Sequence, residues 1–386
     1  MTRIQRVGIG LLSLVLAACS THHPLENRVT VSNYKDVTLP HQQAASEPIR
    51  FWASEQPTFL YNKHTGTTPL TTTGEQLNIL ALSGGGANGA YGAGVLTGLH
   101  DNGDLPNYTI ITGVSAGALL APFVFAGDSE LPRLKSAMLG INDKAVLGSK
   151  NFLNTLFKDS FSDGDSLLAF IARTYPETMI DKMAVSHRSG KRLFIGTTHF
   201  DSGELMIWNL GAIASSSMPN RVQLVHQVLA ASASIPGVFP PQFIAVEHQG
   251  QRLEELHVDG GLAAQMFFNP ADFDYQQVSR ALGLSREPQL HVVRNGLLAP
   301  LYQRTEDKGL KLLTRSLTSL TVLQARGDLF RMRYLSEIEQ IDLHYTYLDE
   351  DFSAQKLSGK MFDVNYMQAI YRHGYHKAAT GRVWQQ

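Results

Sequence analysis

Gly113-Val114-Ser115-Ala116-Gly117 is the first place in this chain where residue types and spacing could do chemistry. In a G-x-S-x-G pattern small residues allow a sharp strand-to-helix turn, and the serine hydroxyl stands free at a helix N-terminus as a nucleophile. The helix dipole there favours a developing alkoxide. With 33 glycines in 386 residues, roughly 0.2 such matches would arise by chance. Context therefore decides. The motif follows an apolar run and lies just downstream of a second glycine-rich stretch, Ser83-Gly84-Gly85-Gly86-Ala87-Asn88-Gly89. Without Cβ atoms, successive backbone N–H groups in such a loop can close on a negative oxygen.

That second stretch also matches the G-x-G-x-x-G dinucleotide fingerprint. A dinucleotide fold, however, wants an acidic residue at the end of the second strand, about 20 residues on. Here the second strand runs into the serine motif instead, which argues against a nucleotide. A serine nucleophile needs a base, and two arrangements are open. One is a histidine, with His187, His199, His226, His257, His291, His344, His373 and His376 all following Ser115, none in a distinctive motif. The other is a carboxylate: Asp259 precedes Gly260 and Gly261 at the end of the strand-like run Leu256-His257-Val258. An Asp-Gly pair by itself would read as a turn.

The elements that must position these groups are marked by missing charge. Charged residues are 17% of the chain, against about a quarter in average globular proteins. None occurs in residues 77–100, 105–127 or 223–246. Residues 105–127 have membrane-spanning length, but Pro106, Gly113, Gly117 and Pro122 fit a buried strand, turn and helix better. Strands are expected at 79–82, 108–112, 193–197, 204–208 and 290–293, alternating with helix-compatible stretches. The expected fold class is therefore α/β, a three-layer α/β/α sandwich around a largely parallel sheet. Leu310, Leu313, Leu317 and Leu320 recur at helical spacing beyond it, as a helix packed on the core or as a lid or membrane-facing helix. The 43% hydrophobic content excludes a disordered chain. The formal charge of -1 offers no broad basic field for nucleic acid.

The N-terminus reads as an address. Arg3 and Arg6 precede an apolar stretch from Val7 to Ala18, too short for a transmembrane helix and laid out like a secretory signal. Leu16-Ala17-Ala18-Cys19 resembles the bacterial lipobox, which implies cleavage after residue 18 and lipidation of Cys19. By resemblance to Gram-negative lipoproteins, Ser20 implies the outer membrane. Cys19 is the only cysteine, so neither an intramolecular disulfide nor another catalytic or metal-binding cysteine is available. Residues 19–74 read as a lipidated tether with one short strand near 29–31. Residues 75–300 read as the catalytic domain, and 301–386 as a C-terminal helical part packed on it. No metal is required: His373 and His376 lack a third ligand, and no acidic calcium loop is present.

Taken together, residues 84–89, 113–117 and 259–261 resemble the patatin-like phospholipase family. The likeness continues through Gly196-Thr197-Thr198, Asp201-Ser202-Gly203-Glu204, Trp208-Asn209-Leu210-Gly211 and residues 231–241. The resemblance implies Ser115 as nucleophile and Asp259 as general base, a dyad without histidine, with oxyanion N–H groups from Gly84, Gly85 and Gly86. It implies supporting roles for Asn88, Gly89, Gly113, Gly117, Gly260 and Gly261. It further implies a serine acyl hydrolase that cleaves membrane-lipid esters through an acyl-enzyme, without cofactor. Asn88 departs from the pattern, because the family usually carries Arg or Lys there. The alternatives are a His-dependent α/β-hydrolase esterase and a non-catalytic lipid- or partner-binding lipoprotein. Oligomeric state is left open.

Overall fold

The computed structural model describes residues 27–42, 47–147, 164–349 and 360–386. The signal segment and Cys19 lie outside the described residues. In chain order the elements are β1 (Arg50–Trp52), β2 (Asn78–Leu82), α1 (Gly89–Asp101), β3 (Ile110–Val114), α2 (Ala116–Ala126) and α3 (Leu131–Leu139). Then follow α4 (Asp143–Leu147), α5 (Gly164–Thr174), α6 (Glu177–Arg188), β4 (Arg192–His199), β5 (Glu204–Asn209), α7 (Leu210–Ser215) and α8 (Arg221–Ser232). The remainder comprises β6 (Gln242–His248), β7 (Gln251–Asp259), α9 (Tyr275–Ala281), β8 (Gln289–Arg294), α10 (Gly309–Ile338), β9 (Asp342–Tyr347) and α11 (Val364–Ala379).

One mixed sheet organises the chain in the order β1-β5-β4-β3-β2-β8-β9, with β7 also on β4 and β6 on β7. The run β4-β3-β2-β8-β9 is parallel throughout; β5, β1, β7 and β6 extend it in antiparallel fashion. Strand side chains alternate between faces, and here both faces are covered. Leu80, Leu82, Leu193, Ile195, Met206 and Trp208 join a core with α1, α2 and α8. Their neighbours Ile79, Ala81, Phe194, Leu205 and Ile207 join another with α9 and α10. Burial on both sides is why these strands read as continuous apolar runs. It also gives the three layers. Residues 105–127, the stretch of spanning length, form β3, the turn and α2. Among the described residues no helix is long and apolar enough to cross a membrane.

Three sequence expectations need correction. Residues 47–74, read as part of a tether, belong to the folded unit: β1 pairs with β5, and Trp52, Leu60 and Leu70 are buried. The strand expected near 29–31 is no more than an isolated bridge from Arg28 to Glu254. The C-terminal part is not purely helical, since β9 adds a parallel edge to β8. Moreover, α10 packs through Val322, Ala325, Leu329 and Met332, whereas Leu313, Leu317 and Leu320 point into solvent. Helical spacing identified an apolar face but could not say which of two faces meets the core.

Charge ties the N-terminal segment down. Glu47, nearly buried, pairs with the buried Arg192 guanidinium at the start of β4, with Nε to Oε2 at 2.7 Å, and also accepts from Asn209 Nδ2 at 3.2 Å. Removing one partner of a buried pair typically costs about 3–5 kcal/mol. Glu47→Ala is therefore expected to lower unfolding free energy by about that much in denaturant titrations, with Glu47→Leu/Arg192→Met recovering most of it. A loss under about 1 kcal/mol, the size of a surface pair, would mean that the segment is peripheral after all.

Candidate active site

Ser115 sits between β3 and α2 with φ 53° and ψ -120°. A side-chain-bearing residue at positive φ is strained, typically by about 1–3 kcal/mol. Here the surroundings hold it. The Ser115 N–H donates to Ser232 Oγ at 2.9 Å, and Ser232 in turn donates to the Gly196 carbonyl at 2.7 Å. Gly117 lies so close to β2 that any Cβ would collide with the Leu82 carbonyl oxygen. Gly113 faces Gly117 across the same turn.

Asp259 reaches the serine because of register on β4. β3 runs along β4 as far as the Val114–Gly196 pair. β7 approaches β4 in the opposite direction and ends on the next residue, with Asp259 opposite Thr197. Two strand ends thus meet head to head, and the Ser115 hydroxyl donates to Asp259 Oδ2 at 2.6 Å. The other carboxylate oxygen accepts the Gly261 N–H at 2.7 Å. Gly260 makes this turn possible: a Cβ there would collide with the Gly196 carbonyl oxygen. Burial pushes the Asp259 carboxyl up from its ordinary value to about 6, against the opposing pull of the hydrogen bonds from Ser115 and Gly261.

The histidines are placed elsewhere. His257, two residues before Asp259, contacts Thr197 Oγ1 at 2.9 Å and Glu255 Oε2 at 3.1 Å, and burial lowers its pKa. His199 contacts Ser202, His226 the Tyr175 carbonyl, His344 Asp342, and His373 Asp349. His187 lies 3.9 Å from Glu47, His291 stacks against His344 and Trp384, and His376 is exposed. Among the described residues, the hydrogen-bond partner of the Ser115 hydroxyl is Asp259. No cluster of three or more His, Cys, Asp or Glu residues able to hold a metal occurs among them either.

The glycine loop lies across from the serine. Gly84 donates its N–H to the Gln265 carbonyl at 2.9 Å. That corrects one expectation, because this N–H is already engaged and cannot serve an oxyanion. Gly85 and Gly86 remain as the candidate donors, Gly86 at φ 55°. The loop is held from below by residues that motif reading missed. Arg294, the last residue of β8, is 3% exposed and donates from Nη1 to the Gly84 carbonyl at 2.7 Å. Burial lowers its pKa to about 10, so it stays charged near neutrality. Asn295 donates to the Ser83 carbonyl at 2.7 Å and accepts the Gly92 N–H at 3.0 Å. The only sequence signal for Arg294 was a charge ending an apolar strand. Asn88, in the place of a basic residue, accepts from the Tyr366 hydroxyl at 2.8 Å and so links the loop to α11. Gly89 starts α1, packed against Ala116 and Met138.

From Ser115 opens a cleft lined by Leu119, Met138, Phe170, Ile235, Phe239 and Phe362 among others, with no charged side chain among its described lining residues. All three charge-free segments contribute to it, through Gly86, Leu119 and Ile235. A separate polar cleft between α10 and residues 263–270 includes neither Ser115 nor Asp259.

Fold, elbow, carboxylate and glycine loop together define a mixed α/β sandwich with a serine and a carboxylate at adjoining strand ends. The chain belongs to the patatin-like phospholipase family, whose family model matches residues 80–272, half its length. Membership places it among the lipid acyl hydrolases. Solved structures with which it aligns include VipD from Legionella pneumophila at 13% identity, covering 80% of this chain and 67% of that one with a TM-score of 0.39. The type III effector ExoU aligns at 15% identity over 80% of this chain and 53% of its own, with a TM-score of 0.33. Human GIVD cytosolic phospholipase A2, in complex with methyl gamma-linolenyl fluorophosphonate, aligns at 12% identity over 80% and 58%, also at 0.33. The chain thus spans only part of these proteins. No curated protein matches significantly in sequence.

The raised Asp259 pKa has a thermodynamic consequence. Because the folded state holds the proton more tightly than the unfolded chain, stability is lost as pH rises from about 4 through about 6. The loss amounts to roughly 3 kcal/mol. Asp259→Asn is expected to be more stable than wild type by up to about that amount at pH 8, with the difference vanishing below pH 4. Equal stability at pH 8, measured by denaturant unfolding, would contradict the buried-charge account.

Proposed function

We propose that the protein is a serine acyl hydrolase acting on carboxylic esters of membrane lipids through Ser115 and Asp259. The observation that carries this reading is the 2.6 Å hydrogen bond to a buried carboxylate from the Ser115 hydroxyl, on a strained elbow that lines an uncharged cleft. Asp259 takes the hydroxyl proton while Ser115 Oγ attacks the ester carbonyl carbon. The carbonyl electrons move onto its oxygen, and the N–H groups of Gly85 and Gly86 receive that negative charge. As the C–O bond breaks, the leaving alcohol takes the proton from Asp259 and an acyl-serine remains. Water then gives a proton to Asp259 and attacks the acyl carbon; collapse releases the fatty acid and returns the proton to Ser115.

An aspartate is ordinarily a weak base. A pKa near 6 makes Asp259 a better one while leaving it ionised at neutral pH. Arg294 supports the oxyanion site indirectly. Its bond to the Gly84 carbonyl polarises the peptide whose other end is the Gly85 N–H, and it supplies a buried positive charge in a family site where Asn88 is neutral. We place this activity on the bacterial outer membrane, tethered through lipidated Cys19, with no cofactor. The folded unit around the site then takes in residues 27–42 and 47–74, with Val29 and Leu39 buried, as well as the C-terminal strand and helix, rather than 75 to 300 alone.

Wild type and Ser115→Ala should be compared on phospholipids, lysophospholipids and short acyl esters, alongside labelling with a fluorophosphonate. Substitution is expected to abolish both hydrolysis and labelling; equal rates would sink the assignment. The wild-type rate should rise with pH through about 6, as Asp259 ionises. Arg294→Met is expected to lower kcat about 10²-fold with little change in KM, in line with loss of an oxyanion donor. An unchanged kcat would restrict Arg294 to a packing role.

A further inference from the structure

The helix α10 carries two apolar faces. Val322, Ala325, Leu329 and Met332 meet the core. Leu312, Leu313, Leu317, Leu320 and Leu323 are each 46–62% exposed, and at 100° per residue they fall within one arc of about 140° away from that core. Phe330 and Ile338, also more than half exposed, continue the arc along the helix. Scattered exposed leucines are ordinary, but a contiguous stripe on one helix marks an interaction surface.

Two further observations identify what it meets. The first is charge. Lys311, Arg315 and Arg326 lie in residues 309–327 without a single Asp or Glu, in a chain whose basic and acidic residues number 33 and 34. An apolar arc beside basic side chains is the makeup of a helix lying in the interface of an anionic bilayer. The second is position. The arc borders the active-site loop: Gln324 Nε2 donates to the Leu262 carbonyl at 3.3 Å, and Asp328 accepts the Gln265 N–H at 2.7 Å. Gln265 in turn holds both Gly84 and Gly261, and Leu262, three residues from Asp259, is itself half exposed.

We propose that the outward face of α10 is the surface by which the protein rests on an anionic phospholipid bilayer, beside the segment from Leu262 to Gln265 that follows Asp259. That the contact feeds hydrolysis rests on the catalytic reading above; that it binds lipid does not. A second copy of the chain is the competing occupant, and residues 309–327, basic and without Asp or Glu, offer the same stretch of a like copy no charge partner.

Because Cys19 is the only cysteine, the full chain with Cys19→Ser can carry one environment-sensitive fluorophore at Leu317→Cys, or at Gln251→Cys on the β6–β7 hairpin as control. Both share the same N-terminal segment, so a difference between them reports on α10. Vesicles of phosphatidylcholine with one quarter phosphatidylglycerol are expected to blue-shift the probe at 317, more than pure phosphatidylcholine vesicles do, and to leave 251 unchanged. In otherwise unmodified full chain, Leu313→Ser/Leu317→Ser/Leu320→Ser should cut hydrolysis of vesicle phospholipid at least about tenfold. Its rate on a water-soluble short-chain ester should match wild type. No shift at 317, an equal shift at both positions, or an unchanged vesicle rate would overturn the proposal. So would a dimer in sedimentation that the triple substitution dissolves while vesicle binding persists. Should wild type hydrolyse neither substrate, the catalytic reading fails and the probe alone decides the surface.

Discussion

The meeting of two strand ends on β4 is the constraint on which the site depends. β3 leaves β4 at Gly196 and β7 reaches it at Thr197, so the residues just past each strand end share one small volume. Nothing in that arrangement tolerates a shift. A one-residue slip of β7 would turn the Asp259 side chain to the other face of the sheet. The glycines follow from the same crowding: Gly260 passes over the Gly196 carbonyl, and Ser232 uses that same carbonyl to hold the elbow.

Stability is spent at this junction and recovered around it. A positive φ at Ser115, a carboxylate out of water and a buried guanidinium at Arg294 each cost free energy on their own. Each is held by a specific partner, with Ser232 under the elbow, the Gly261 N–H on Asp259, and the Gly84 carbonyl on Arg294. Ser115 lines an uncharged cleft, and burial raises the Asp259 pKa. Both follow from the exclusion of charge and water around the serine elbow.

The ends of the chain take part in this more than their composition suggested. β1 and Glu47 brace β5 and β4 from the N-terminal side. From the C-terminal side Phe362 lines the cleft, with its N–H held by Asp143 at 2.7 Å, and Tyr366 reaches Asn88. A threonine-rich, loop-like composition at 65–73 concealed the N-terminal contribution, because single buried anchors such as Leu60 and Leu70 leave no periodic trace.

What the sequence by itself determined is local. The elbow, the glycine loop, the strand runs and the charge-free segments follow from residue size, backbone freedom and burial, which act over a few neighbours, and the family resemblance rests on them. Only the tertiary structure decided what depends on partners far along the chain. It paired Asp259 with Ser115 across 144 positions, engaged the Gly84 N–H with Gln265 and set Arg294 beneath the glycine loop. It also chose which face of α10 meets the core. Sheet register and helix docking are global solutions to packing, and no spacing within a motif encodes them.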